Sequence, residues 1–368
     1  MILIFPEGGW TELMPESQLQ CESETAREIE ADLRRRIYYH DHFVDDTVIE
    51  GDWIVRTAIE STGWGLEPVH RPSTTARGAW RFEPVLKSPD DLEKLRVPEI
   101  SVNREETNAR LALAHELFDG ILTVRHVGVT RISYHLMKQY TDIRGLEEMM
   151  VDMFQEPELL HRTMRFFVDA HRSILEQYQD LNLLSLNNDG SYHSSGGVGY
   201  TDELPAPGFD PNRVRPADMW ASAESQELAQ VGPSQHEEFA LQYERELLSP
   251  FPLNGYGCCE PLTDRLEHIL TIPGLRRPSI SPWADVDLAA EGLGSDYIFS
   301  WKPKPMDLVG EFDPDDIRSY LRYTLEAARR HDCVLEMILK DTHTCENHPE
   351  RFDLWSKIAR EEVDRITG

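Results

Sequence analysis

The sequence contains no run of about 18 apolar residues, so no segment is predicted to span a membrane. Basic residues are also scarce: 37 Lys and Arg stand against 66 Asp and Glu, and the formal net charge is -29. Such an acidic chain does not neutralise phosphate groups, which argues against nucleic-acid binding and against docking on anionic lipid. We therefore expect no nucleic acid and no membrane as partners, and we read the charge as a solubility feature.

Cysteine is rare as well, with five residues in a chain of 368. An odd number of cysteines in a long chain does not suggest a disulfide scaffold. The sequence also lacks a basic segment followed by an apolar stretch at its start, since MILIFPEGGWTE turns polar at once. These features predict a cytoplasmic protein.

The glycine fingerprint of an open dinucleotide-binding sheet is absent too, while helices and short apolar strands alternate from about residue 105. For example, ILTVRHVGVTR, LNLLSLNNDG and CVLEMILKDTHT predict strands, whereas PDDIRSYLRYTLEAARRHD predicts a helix. This regular alternation favours a closed (β/α)8 TIM barrel. We predict the barrel over residues 105–368, with a helical and irregular N-terminal extension over residues 1–104 that packs on it.

Polar side chains follow several predicted strands, and catalytic groups of such barrels collect at the carboxyl ends of strands. The stretch from Asn187 to Asn212, about 25 residues, is rich in Gly, Ser and Pro, which is typical of a functional lid or insertion. Within it, Asp189 is a general acid or base, a substrate ligand, or a turn-forming residue. We take Asp189 and His193 as candidate catalytic residues, and Asn188 and Tyr192 as candidate substrate contacts.

Three further residues are candidate substrate contacts on or after strands. His126 lies on a predicted strand, where it is either a core residue or a contact near the barrel axis. Trp283 and Trp301 end consecutive predicted strands, and they are either core residues or an aromatic wall for a planar ligand.

The segment Cys258-Cys259-Glu260 suggests a metal site. On a strand, alternate side chains point to the same side, so Cys258 and Glu260 are expected to share one side while Cys259 faces the other. With His343 at the end of the last strand, a thiolate, a carboxylate and an imidazole make a three-ligand zinc site with an open position. The alternative is that both cysteines are small buried residues, because free cysteine is often buried.

Three stretches, ISPWADVDLAAEGLGSDYIFSWKPKP, GYGCCEPLTDRL and NNDGSYHSSGGVGYTDELP, resemble the uroporphyrinogen decarboxylase-like superfamily. The branch that they resemble most contains corrinoid-dependent methyltransferases and O-demethylases. The resemblance covers residues 105–368 and the N-terminal SETAREIEADLRRRIYYHD. The RQAGRY motif of true uroporphyrinogen decarboxylases is absent from this sequence.

In that branch, zinc is bound by a His-x-Cys pair and by a Cys at the end of the last strand. By position, Tyr256 stands in place of that His, Cys258 in place of the first Cys, and His343 in place of the last Cys. The sequence thus departs from the pattern at two of three ligands, and Glu260 is the residue that could complete the set.

The resemblance implies transfer of a methyl group from an O-methyl or N-methyl small molecule to the corrinoid of a partner protein, assisted by zinc. It also makes a homodimer possible. Two other functions remain open: a metal-free lyase, such as a decarboxylase, in which Arg125 and Arg131 bind a carboxylate, and a non-catalytic barrel that only binds a small molecule.

Overall fold

The computed structural model describes residues 1–71 and 81–368. The chain divides into two compact units. Unit 1 comprises Met1–Glu50, Pro261–Thr263 and Arg277–Gly368, and unit 2 comprises Gly51–Glu260 and Asp264–Arg276. None of the helices in this part of the chain has the length and apolar character needed to span a bilayer.

Unit 1 is built on parallel strands in the order β1-β13-β12-β11. Its strands are β1 (Ile2–Ile4), β11 (Leu275–Ile280, in this unit from Arg277 onward), β12 (Ile298–Trp301) and β13 (Val334–Leu339). Its helices are α1 (Trp10–Leu13), α2 (Glu24–His42), α10 (Val286–Leu293), α11 (Pro314–Arg330) and α12 (Glu350–Thr367). Short 3-10 turns occur at Glu7–Gly9, Glu16–Gln18 and Pro305–Leu308.

Unit 2 contains the remaining strands, β2 (Asp52–Arg56), β3 (Ile59–Ser61), β4 (Val69–Arg71), β5 (Arg81–Glu83), β6 (Ile100–Val102), β7 (Thr123–Val127), β8 (Ser133–Tyr134), β9 (Trp220–Ala223) and β10 (Leu253–Tyr256). Its helices are α3 (Arg104–Phe118), α4 (Leu136–Arg144), α5 (Leu146–Gln155), α6 (Pro157–Asp180), α7 (Pro233–His236), α8 (Gln242–Leu248) and α9 (Leu266–Ile269). Short 3-10 turns occur at Pro89–Lys94, Pro216–Asp218 and Gln226–Leu228.

The strands β8, β9 and β10 of unit 2 are parallel neighbours in that order. Their register aligns Ser133 with Ser222 and Ser222 with Gly255. All four residues of β9 and of β10 are buried, which is typical of parallel strands covered on both faces. Elsewhere in this unit β2 pairs with β7 in parallel, while β3–β6 and β4–β5 are antiparallel pairs.

A π-helical segment, Glu237–Leu241, joins α7 to α8 in unit 2. Such segments are rare and often occur at functional sites, because they change the angular position of the residues that follow. Here Glu244 follows and is completely buried. This helix therefore places a carboxyl group in the interior beside the ends of the parallel strands.

The mixed α/β architecture with parallel strands confirms the predicted α/β class, and closure into a barrel remains a proposal. The predicted strands around Val124 and Ile338 are confirmed as β7 and β13. The predicted strand in LNLLSLNNDG is reduced to one isolated bridge between Val129 and Leu184. Residues 1–50, within the predicted extension, belong to unit 1, where β1 pairs with β13 in parallel.

Candidate active site

Acidic side chains gather where β8, β9 and β10 end. Glu224 directly follows β9, and Glu260 lies four positions beyond the last residue of β10. Glu227 lies in the 3-10 turn after β9, and Glu244 comes from α8. We call these four residues, Glu224, Glu227, Glu244 and Glu260, the carboxyl cluster; it belongs wholly to unit 2.

Hydrogen bonds hold the cluster in place. Ser225 Oγ donates to Glu244 Oε1 at 2.6 Å, and Tyr256 Oη donates to Glu244 Oε2 at 2.7 Å. The backbone amide of Cys258 donates to Glu260 Oε2 at 2.9 Å. Glu224 Oε1 accepts a short hydrogen bond from His135 Nδ1, and its other oxygen accepts from the Gln226 amide at 3.2 Å.

Burial and repulsion from Glu224 raise the pKa values of the other three carboxyl groups of the cluster. The pKa of Glu260 is raised to about 8, mainly by burial and in addition by repulsion from the nearby Glu224 carboxylate. The same two causes raise the pKa of Glu227 to about 7. Burial also raises the pKa of Glu244 to about 7, although hydrogen bonds from Ser225 and Tyr256 oppose it. Carboxylic acids that stay protonated near neutral pH are suited to general acid catalysis.

The predicted metal ligands lie in both units. Cys258 and Glu260 belong to unit 2, and His343 belongs to unit 1. Because β10 ends at Tyr256, the strand alternation that separated Cys258 from Cys259 does not apply here, and their sulfur atoms lie 3.6 Å apart. Among the described residues, no group of three or more His, Cys, Asp or Glu side chains is placed to hold a metal ion.

Asp189 and Asn188 lie in unit 2 and make defined contacts. Asp189 accepts from the Ser191 amide at 2.9 Å and from Arg125 at 3.2 Å. Burial alone acts to raise the pKa of Asp189, but hydrogen bonds from Ser191 and Arg125 outweigh it and the pKa is lowered. Near neutral pH this group is therefore an ionised carboxylate with no proton to donate, unlike Glu260. Asn188 donates to the Leu204 carbonyl at 2.8 Å.

His193 and Tyr192 come from the same loop of unit 2. His193 is buried, its ring centroid lies 4.7 Å from that of Trp220, and its amide donates to the Gly197 carbonyl. A Cβ atom at Gly255 of β10 would come within 3.3 Å of the His193 ring. The loop thus packs directly on β10 because Gly255 has no side chain. The Arg131 guanidinium lies 4.7 Å above the Tyr192 ring.

The other predicted contacts are dispersed. His126 of β7 is exposed, and its Nε2 lies 2.9 Å from Thr57 Oγ1. In unit 1, Trp301 is 0% exposed and packs on Tyr320, so it is a core residue, whereas Trp283 is 66% exposed. His343, also in unit 1, is exposed and lies against Gly8.

Sequence reasoning missed most of the carboxyl cluster, as well as His135. Glu244 did leave a signal: it occupies the apolar stripe of its helix, four residues after Ala240 and four before Leu248, where a charged residue is unusual. Glu224 was missed because the short, small-residue run before it, MWASA, was not predicted as a strand.

Neither a scan against protein-family models nor a search of curated proteins finds a match for this chain.

Proposed function

We propose that this chain is a methyltransferase of the uroporphyrinogen decarboxylase-like superfamily, built on a (β/α)8 barrel. It moves a methyl group from an O-methyl or N-methyl small molecule to the corrinoid of a partner protein. One observation carries the proposal: Glu260 and Glu244, whose pKa values are raised by burial, lie buried beside the carboxyl ends of neighbouring parallel strands. In α/β proteins with parallel strands, ligands bind at this edge.

Removing a methyl group from an ether leaves a charged oxygen, which is a poor leaving group unless it receives a proton. The corrinoid of the partner supplies the nucleophile, so this chain needs to bind the donor and protonate the oxygen. Glu260 holds a proton at neutral pH because burial raises its pKa to about 8. We assign Glu260 the role of general acid, which contributes 10²- to 10⁴-fold in typical enzymes.

The neighbours of Glu260 set its strength as an acid. Repulsion from the Glu224 carboxylate favours the protonated form of Glu260. The Cys258 amide fixes the orientation of the carboxyl group through its hydrogen bond to Oε2. In this proposal the loop residues Asn188 and Tyr192 contact the donor, which is the role that the sequence predicts for them, and Asp189 and His193 stay candidate catalytic residues.

Zinc at Cys258, Glu260 and His343 stays a prediction. In the described part of the chain, Cys258, Glu260 and His343 do not form a group of side chains placed to hold a metal ion. The donor set therefore does not fit zinc as it is folded here. No step of the proposed reaction depends on the metal.

Glu260→Gln tests the proposal, because glutamine keeps the shape of the side chain and has no proton to donate. Purified protein is mixed with a reduced corrinoid protein and a panel of methoxylated and N-methylated compounds. Methylation of the cobalt is followed by its absorbance change. For the wild type, we expect the rate to fall as the pH rises through about 8, where Glu260 loses its proton. Glu260→Gln should lower the rate by about 10²-fold or more.

Glu267→Gln is the matched control, since Glu267 is an exposed glutamate on α9 of the same unit. Its rate should match that of the wild type. Release of CO2 from a carboxylated substrate without methyl transfer would support the lyase instead. Binding of the compounds without turnover would support the non-catalytic barrel, and full activity of Glu260→Gln would rule out the assigned acid.

A further inference from the structure

Three side chains at the ends of β8 and β9 form a continuous chain of hydrogen bonds. Ser133 Oγ lies 2.8 Å from His135 Nε2, and His135 Nδ1 makes a short hydrogen bond to Glu224 Oε1. All three residues belong to unit 2. We call this set, Ser133, His135 and Glu224, the serine relay. The proposed methyl transfer does not use Ser133.

A fourth side chain fixes the direction of the relay. Ser222 Oγ donates to Ser133 Oγ at 2.9 Å, so the Ser133 hydroxyl is left to donate its own proton to His135. With its proton on Nδ1, His135 donates to Glu224 and accepts from Ser133. The strand register explains the placement, because Ser133 and Ser222 are paired residues of neighbouring parallel strands. His135 and Glu224 each follow two positions later in their own segments.

Ser133 also lines a cavity of about 410 Å³ in unit 2. Most of its wall is apolar or aromatic, and it includes Trp64, Tyr134, Ile174 and Tyr178. Arg131 also lines this cavity, and no other arginine or lysine of the described residues does so. A volume of this size is in the range of small-molecule sites. The wall composition suits an ester with an apolar or aromatic acyl group.

We propose that Ser133 is the nucleophile of a second activity, the hydrolysis of carboxylic esters, with His135 as its base and Glu224 as the residue that orients His135. Enzymes of unrelated folds activate a serine in this way: its hydroxyl is hydrogen-bonded to an imidazole, and a carboxylate orients that imidazole through a second hydrogen bond. Burial of Glu224, whose side chain is 8% exposed, gives its hydrogen bond to His135 strength and direction.

The reaction has two balanced halves. In the first, Ser133 Oγ forms a bond to the ester carbonyl carbon while its proton passes to His135 Nε2. The bond to the alcohol oxygen then breaks, and that oxygen leaves with the proton from Nε2. In the second, water attacks the acyl carbon as His135 takes a proton from it, and the acyl–Ser133 bond breaks. Ser133 recovers its proton, and the carboxylic acid departs.

A fluorophosphonate probe tests the nucleophile directly in the wild-type protein. The probe reacts with activated serine hydroxyls, and peptide mass spectrometry locates the adduct. We expect one adduct per chain at Ser133, with no labelling after heat denaturation. An adduct at another serine, or none at all, overturns the proposal without any need for a variant to fold.

Ester hydrolysis gives the second readout, with 4-nitrophenyl butanoate and 4-nitrophenyl benzoate as substrates. Ser133→Ala and His135→Asn should each lower kcat/KM at least 100-fold, and Ser133→Ala should abolish labelling. Ser101→Ala is the matched control, because Ser101 is an exposed serine of β6 in the same unit and is not among the residues that line the cavity. Its kcat/KM should stay within 2-fold of the wild type.

The same variants distinguish the proposed ester hydrolysis from the proposed methyl transfer. Ser133→Ala should retain methyl transfer, and Glu260→Gln should retain labelling at Ser133. Ester hydrolysis that survives in Ser133→Ala would mean that another group, such as an exposed histidine, attacks the ester, and it overturns the assignment of Ser133.

Discussion

At the scale of single residues, the carboxyl cluster shows how burial changes the chemistry of one residue type. Glu260 and Glu267 are both glutamates of unit 2, but Glu260 is completely buried and Glu267 is exposed. A buried carboxyl group prefers its neutral form, because the interior solvates a charge poorly. The position of a glutamate in the fold therefore decides whether it carries a charge or a proton.

This difference predicts a pH dependence of stability. The pKa of Glu260 is raised in the folded protein from 4.5 to about 8, so between these pH values the folded state holds a proton that the unfolded state lacks. Stability should therefore fall as the pH rises from about 4.5 to about 8. Glu260→Gln, which stays neutral, should be close to the wild type at pH 5 and exceed its free energy of unfolding at pH 8 by roughly 3–4 kcal/mol.

Urea unfolding at pH 5, 6.5 and 8 measures the effect, with Glu267→Gln as control. The control should keep the wild-type pH dependence. Equal dependence in Glu260→Gln and the wild type would show that Glu260 is ionised throughout this range.

At the scale of secondary-structure elements, the side chain of Asn187 makes hydrogen bonds to neighbouring segments where the sequence predicted a strand. The segment around Leu184 makes only one isolated bridge, to Val129. Asn187, which is 2% exposed, then accepts from the Trp220 amide at 2.9 Å and donates to the carbonyl groups of Thr130 and Trp220. One amide group thus joins the segment after β7 to the start of β9.

Asn187→Ala should destabilise unit 2 because it leaves these buried backbone groups without partners. We expect a loss of about 2–3 kcal/mol in the free energy of unfolding. Asn188→Ala is the neighbouring control: Asn188 is half-buried and its side chain makes one hydrogen bond within the described residues, to Leu204, so the loss should be below about 1 kcal/mol. Denaturant unfolding measures both variants, and equal losses would show that Asn187 does not join the two segments.

At the scale of the whole molecule, the net charge of -29 is the dominant feature. Like charges repel each other in the compact state, and salt screens this repulsion over about 10 Å at 0.1 M. Raising NaCl from 20 mM to 0.5 M at pH 7.5 should therefore raise the Tm by about 2–4 °C.

The pH of the measurement provides the control. Near pH 4.8, the isoelectric point calculated from the sequence, the net charge approaches zero and the salt effect should vanish. Differential scanning calorimetry gives both values. A Tm that falls with NaCl at pH 7.5 would mean that attractive ion pairs outweigh the net repulsion.

Some features of the fold could be predicted because they depend on local patterns. Helix α11 has apolar residues at helical spacing and Asp313 as N-cap, and β13 is a continuous apolar run. Strand β9 could not be predicted in the same way. It is short and made of Trp and small residues, and it becomes a strand because β8 and β10 pair with it.

The sequence by itself determined the α/β class, the acidic character and the presence of polar groups after the predicted strands, because each follows from local composition or periodicity. Only the tertiary structure decided which glutamates hold protons and which serine faces a histidine. Glu224, Glu244 and Glu260 come from separate segments, and strand register and helix packing bring them together. The raised pKa values of Glu244 and Glu260 arise from burial and from repulsion by Glu224, which depend on distances in space and not on spacing along the chain.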